Sequence, residues 1–346
     1  MTWIPHPLHK LLFRLIHRIQ HYFLSMKTPG SQDKKVKKVS KPKKVEVHKI
    51  PNAIPHGPVP YAKNPVPIVP PDLFVLHTLC AFVGARGSGK THAMVKLAHK
   101  YLEHRSINRV FIITPTYQSN KIFEVLDPRP EDVFENVTTT NQDIMKILAA
   151  TQQDAERYRE FSKYLKAYKK YRRGREHSLT AEERTMLENN QFKKPNYMPR
   201  PSPLLIVDDM SHTNIYTTSK SNPFINLCLR HRHINEGIGM TIFMAAQTYK
   251  TGVPKAIRQN IQQFFIFPTK DTTQLESIYE EVANLVPKEQ FLELYEKATH
   301  QPHSFLTVDN NPRHPLLAFR KNFDSILVPG EDEEEKEDEK SNSEEE

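Results

Sequence analysis

A chain that carries Gly84-Ala85-Arg86-Gly87-Ser88-Gly89-Lys90-Thr91 directly after the apolar run Leu79-Cys80-Ala81-Phe82-Val83 has few folds open to it. Glycines at Gly84, Gly87 and Gly89 let the backbone turn tightly, so that successive N–H groups and the start of the next helix converge on one point. Such a nest attracts anions. Met94, Val95, Leu97, Ala98 and Leu102 follow at helical spacing, which supplies the strand, loop and helix context that a phosphate loop needs and a stray Gly-rich turn lacks. On this reading Gly84, Ala85, Arg86, Gly87, Ser88 and Gly89 wrap the phosphates of a nucleotide. Lys90, expected to be exposed on the loop, reaches the β- and γ-phosphates, and the Thr91 hydroxyl holds Mg²⁺.

Four further apolar runs extend the argument. Val110-Phe111-Ile112-Ile113-Thr114 is ended by Pro115, and Leu204-Leu205-Ile206-Val207 runs into Asp208-Asp209. Met240 to Ala246 runs into Gln247, and Phe264 to Phe267 stops at Pro268. Short unbroken apolar runs separated by helical patterns predict an α/β protein with a mostly parallel sheet buried on both faces. An acid delivered by a buried strand after a phosphate loop reads as a Walker-B pair: Asp208 holds Mg²⁺ through water and Asp209 polarises the attacking water. The competing reading is an acidic cap on a following helix. Gly84, Asp208 and Gln247 all end strands, so all three are expected at one sheet edge, where open α/β sheets bind ligands. Gln247 is then a candidate sensor of the γ-phosphate.

Composition sets the boundaries. Residues 1–72 read as a basic, Pro-rich arm, residues 73–328 as the core domain with a helical insertion at about 140–200, and residues 329–346 as an acidic disordered tail. The tail's residues 331–346 hold eleven acids and two lysines, a net of −9, so the formal +9 of the chain conceals about +18 on the remainder. A body this basic points to a polyanionic partner. Residues 1–25 space leucines and isoleucines as an amphipathic helix, too broken by charge to span a bilayer. They read either as a surface-lying helix or as an incidental leader before a start at Met26. The lysine-rich tract of 27–49 reads equally as a nuclear-import or DNA-contacting arm and as a solvated tail. Cys80 and Cys228, the only cysteines, lie in apolar surroundings, which suggests a reducing compartment and no disulfide framework.

Within the insertion, Asn141–Ala150 predicts a short helix and Asp154–Arg175 a second, with Tyr158, Phe161, Leu165 and Tyr168 on one face. Nine basic residues against one acid between 157 and 175 give a net of +8, making this stretch the best candidate for DNA phosphates, although packed aromatics with solvated lysines describe it as well. Gly174 suits the helix end, and Thr180 with Glu183 forms a capping-box start for another helix running to about Asn189.

The order of these motifs, together with Arg232-His233 before the strand ending Ala246-Gln247 and Ile257-Arg258-Gln259-Asn260 after it, resembles the HerA–FtsK superfamily. Within it the chain looks most like the poxvirus-type genome-packaging ATPases of large DNA viruses, virophages and polinton-like viruses. The resemblance covers roughly residues 75–325, including a closing strand pair at Ser304–Asp309 and Leu316–Arg320. It implies a RecA-like (ASCE) P-loop fold and a homo-oligomeric ring, pentameric or hexameric. It further implies viral capsid proteins as partners and ATP-driven movement of double-stranded DNA into a capsid at assembly sites in the host cytoplasm or nucleus. It also implies an arginine finger acting between subunits, Arg232 or failing that Arg258. Two departures stand out: Asp209 replaces the Glu of many such motors, one methylene shorter, and the basic insertion is long. Two other functions remain open, a nucleotide-dependent capsid assembly or scaffold protein and a helicase or conjugation-type translocase.

Overall fold

Five fully buried residues in succession leave β1 (Leu79–Val83) no solvent face, so it must pair on both edges and be covered on both sides. The computed structural model describes residues 66–329 apart from His212. The amphipathic and lysine-rich N-terminal stretches, most of the proline-dense segment and the acidic tail lie outside the described residues. β1 pairs in parallel with β5 (Thr241–Ala246) on one edge and β6 (Gln263–Ile266) on the other. β5 pairs with β4 (Pro203–Val207), β4 with β2 (Arg109–Ile113), and β2 with the short β3 (Val133–Phe134), all parallel. The sheet closes with β7 (Leu306–Asp309), β8 (Phe319–Lys321) and β9 (Ser325–Ile326), all antiparallel, giving the order β3-β2-β4-β5-β1-β6-β7-β8-β9 among the described residues. One strand, β5, therefore separates the phosphate-loop strand β1 from the acid-bearing strand β4, which is the RecA-like arrangement the resemblance implies. The predicted closing pair is present as β7 and β8, with Pro315–Leu317 as a 3₁₀ turn rather than strand.

Alternation along the strands divides the core. Leu79, Ala81, Val83, Leu205, Val207, Ile242 and Met244 face one side, where α4 (Pro223–Arg230), α5 (Thr272–Val282) and α6 (Lys288–Thr299) pack. Cys80, Phe82, Leu204, Ile206, Phe243 and Phe265 face the other, against Met94, Leu97 and Tyr101 of α1 (Lys90–Glu103). Phe82 stacks on Phe265 with centroids 4.2 Å apart.

Two expectations need correction. The packed body takes in residues before 73: Val69 is buried, Ser106 Oγ donates to the Ile68 carbonyl (2.7 Å), and Arg313 reaches the carbonyls of Val69 and Pro70. The insertion holds one 33-residue helix, α2 (Thr140–Arg172), instead of two. The polar run Thr151-Gln152-Gln153 lowers helix propensity by only tenths of a kcal/mol per residue, and no Gly or Pro interrupts it before Gly174, whose φ of +69° turns the chain. The predicted capping box is formed: Glu183 N donates to Thr180 Oγ1 and Thr180 N to Glu183 Oε2, opening α3 (Ala181–Asn189). Lys170 Nζ donates to both oxygens of Glu183 at 2.7 Å, and Tyr171 packs on Phe192 (4.9 Å), which ties the hairpin together. Among the described residues no helix is long and apolar enough to cross a membrane.

Candidate nucleotide site

Parallel strands end at one edge, and at that edge the sheet delivers the predicted residues. The loop after β1 is held from behind: a Cβ on Gly84 would sit 2.6 Å from Phe267 Cβ, so only glycine lets the loop lie this close to the neighbouring strand end. Gly89 takes φ +103° at the head of α1, where no side chain caps the helix, so its first N–H groups face outward as an anion site. His303 stands behind the same turn, with Nδ1 3.4 Å from the Ser88 carbonyl.

Lys90 is buried rather than exposed, at 9% accessibility, because it folds over its own loop and donates to the carbonyls of Gly84 and Ala85, both at 2.8 Å. Burial pulls its ammonium pKa down, opposed by the nearby Asp208 and Asp209 carboxylates. Across the cleft, Thr91 Oγ1 donates to Asp208 Oδ2 at 2.7 Å. Asp208 is buried, and desolvation raises its pKa while the Thr91 hydrogen bond opposes the rise. Asp209, by contrast, is exposed and sits in the left-handed region at φ +52°, which turns its side chain out of the strand line toward β5. There Gln247 Nε2 donates to Asp209 Oδ1 at 3.1 Å. The ends of β1, β4 and β5 thus converge as the edge rule expects.

These groups line a cleft of about 260 Å³ with Arg86, Gly87, Ala245, the unpredicted Ser211 just past the acid pair, and three further residues that sequence reading missed: Thr116, Ser119 and Asn120. Those three follow β2, whose C-terminal end lies at the same edge, so the rule that found Gln247 would have found them. Thr116 Oγ1 lies 3.1 Å from Thr114 Oγ1.

The donor set fits a magnesium nucleotide. A lysine ammonium, a glycine-rich turn and an uncapped helix start offer donors to phosphate oxygens, while the Thr91 hydroxyl and Asp208 carboxylate, already in contact, offer hard oxygen ligands to Mg²⁺.

The two arginines expected near the inter-subunit contact differ sharply. Arg258 is packed within its own chain, its guanidinium 5.4 Å from the Tyr249 ring centre and 3.8 Å from Glu281. Arg232 is exposed and has no hydrogen bond or ion pair among the described residues. It lies before β5, at the edge opposite the cleft, and so away from the nucleotide site of its own chain.

Fold and cleft together define a RecA-like domain with a phosphate-loop site. No protein-family model and no curated protein matches the chain. Among solved structures it is similar to the genome-packaging NTPase B204 of Sulfolobus turreted icosahedral virus 2, solved with AMP: 13% identity, TM-score 0.42, covering 73% of this chain and 98% of that one. It is also similar to EssC (ATPases 2 and 3) of Geobacillus thermodenitrificans, at 13% identity and TM-score 0.40, covering 75% of this chain and 41% of that one. The pCW3 conjugation coupling protein TcpA aligns at 10% identity and TM-score 0.38, covering 68% and 58%.

Proposed function

We propose that the protein is a ring-forming ATPase that drives double-stranded DNA into a viral capsid. The observation that carries the enzymatic part is the pairing across the cleft: Thr91 with Asp208, and Gln247 with Asp209, from three different strand ends. Bound Mg²⁺, held by Thr91 Oγ1 and the Asp208 carboxylate, would offset phosphate charge. Lys90 Nζ, released from the Gly84 and Ala85 carbonyls, donates to the terminal phosphate oxygens. Gln247 occupies Asp209 Oδ1 and leaves Oδ2 to orient a water and accept its proton. The exposed, unpaired Arg232 suits a role on a neighbour's nucleotide, where a guanidinium offsets developing charge; such a finger raises rate by ~10³-fold or more. The basic insertion and the formal charge of the body support a DNA partner.

The experiment is hydrolysis with and without duplex DNA, combined with subunit mixing. Duplex should stimulate hydrolysis without separating strands. Arg232→Ala and Lys90→Ala proteins should each be inactive, and mixed rings should recover activity where an intact loop meets an intact finger. Hydrolysis indifferent to DNA would favour a scaffold protein, and overhang-dependent unwinding a helicase. Mixed rings without recovery would remove Arg232 from the interface role.

A further inference from the structure

At the strand starts, the edge away from the nucleotide cleft, a second cleft of about 290 Å³ opens between α2 and the turn that precedes β5. The α2 wall carries Arg159, Lys163 and Lys166, and the facing wall carries Arg200, Asn235 and Glu236. Four cations therefore meet one carboxylate. Glu236 is taken by Arg159 at 2.5 Å. Arg200 spends Nη2 on the Gly237 carbonyl (2.7 Å) and leaves its buried Nε without an acceptor. Lys163 and Lys166 are exposed and have no hydrogen bond or ion pair among the described residues. A buried guanidinium N–H without an acceptor is unfavourable, and so is the crowding of three unneutralised cations. The cleft is short of anionic oxygen.

We infer that this cleft is a subsite for the phosphodiester backbone of a nucleic-acid strand. The inference rests on the DNA-motor reading for the identity of the polymer. A single small anion does not fit the layout, because Arg159 and Lys166 are seven residues apart on α2, about 10 Å along the helix axis. That spread exceeds the reach of one phosphate's oxygens, whereas a strand presents a phosphate every ~3.4 Å of duplex axis. The run also continues past the cleft through exposed Lys169 and Arg172 on the same helix and Arg173 at its C-cap. The far wall is a strained turn, with Asn235 and Glu236 at φ +50° and +57°, and it leads directly into β5. The six residues of β5 set the two clefts roughly 20 Å apart, so a strand held here leaves the nucleotide site open.

The test compares the full-length protein with a Lys163→Gln/Lys166→Gln variant and with a Lys193→Gln/Lys194→Gln control of equal charge, in which two exposed lysines outside the cleft are changed. Binding of a fluorescent duplex is measured across a range of KCl. The first variant should bind more weakly and lower the log–log salt slope by about two units, nearly one for each phosphate no longer neutralised, and the control should change it far less. Hydrolysis without DNA should be the same in all three. If the unaltered protein binds duplex and the first variant keeps its slope, the subsite is overturned while the motor reading stands; if the unaltered protein binds no duplex, both fall. Inorganic phosphate is the second arm. Thermal stabilisation by phosphate that the first variant loses while its duplex binding is unchanged would make the cleft a small-anion site and overturn the strand assignment.

Discussion

Asp209 and Asp208 are adjacent in sequence yet live in opposite environments. Asp208 is buried against Thr91, and the left-handed turn at Asp209 puts the second carboxylate into the open cleft beside Gln247. Asp209→Asn keeps the shape and the turn, so nucleotide binding should persist while turnover falls by about 10²-fold or more, the usual effect of losing a positioned base. Unimpaired turnover in single-turnover assays would reassign the base. Lys90→Ala should abolish hydrolysis and leave the melting temperature nearly unchanged, since it removes an ammonium whose burial is already unfavourable. The phosphate loop, the acid pair and Gln247 were legible because each is a motif or a strand end. The inward fold of Lys90 was not, because it depends on where two loop carbonyls point. Thr116, Ser119 and Asn120 carry no motif and become visible only once the β2 end is placed at the same edge.

At the level of elements, reading the chain recovers what local chemistry dictates. The apolar runs became β1, β2, β4, β5 and β6, and Thr180 with Glu183 opened α3 as the capping box requires. Removing that cap with Thr180→Ala should cost about 1 kcal/mol, and it should appear as faster amide exchange within α3 while the sheet is unaffected. Equal exchange in both proteins would mean that packing alone holds α3, through Leu187 and the Lys170–Glu183 pair. The single long α2 escaped the reading for a different reason. Its N-terminal half turns Ile144 and Ile147 into the core, its C-terminal half packs on α3 and the segment after it, and the buried face shifts between them. A change of packing partner looks like a helix end when only periodicity is read. Boundaries set by composition share that weakness, since Val69 belongs to the core although Pro67, Pro70 and Pro71 lie within two residues of it.

The molecule as a whole carries a pH dependence that no motif announces. His77 and His231 are buried near the strand starts, facing Arg200, Arg232 and His233, and burial, with those charges, lowers both pKa values from 6.5 to about 4. The unfolded chain therefore binds these protons first as pH falls. Stability is full above about pH 6.5 and declines toward pH 4, by at most ~1.4 kcal/mol per pH unit for each histidine. Urea midpoints measured between pH 7.5 and pH 5 should fall, and His231→Gln should shallow the fall; a pH-independent midpoint would show that the histidines are solvated. β5 has a separate consequence, for what the chain can absorb as it diverges. Because β5 is bonded to β1 on one side and β4 on the other, the gap between the phosphate loop and the acid pair is two strand spacings, about 9.6 Å, ruled by main-chain hydrogen bonds that every residue type can make. Side chains on β5 can drift, trade volume with their neighbours and erode recognisable ancestry, while the gauge of the site passes unaltered to each descendant.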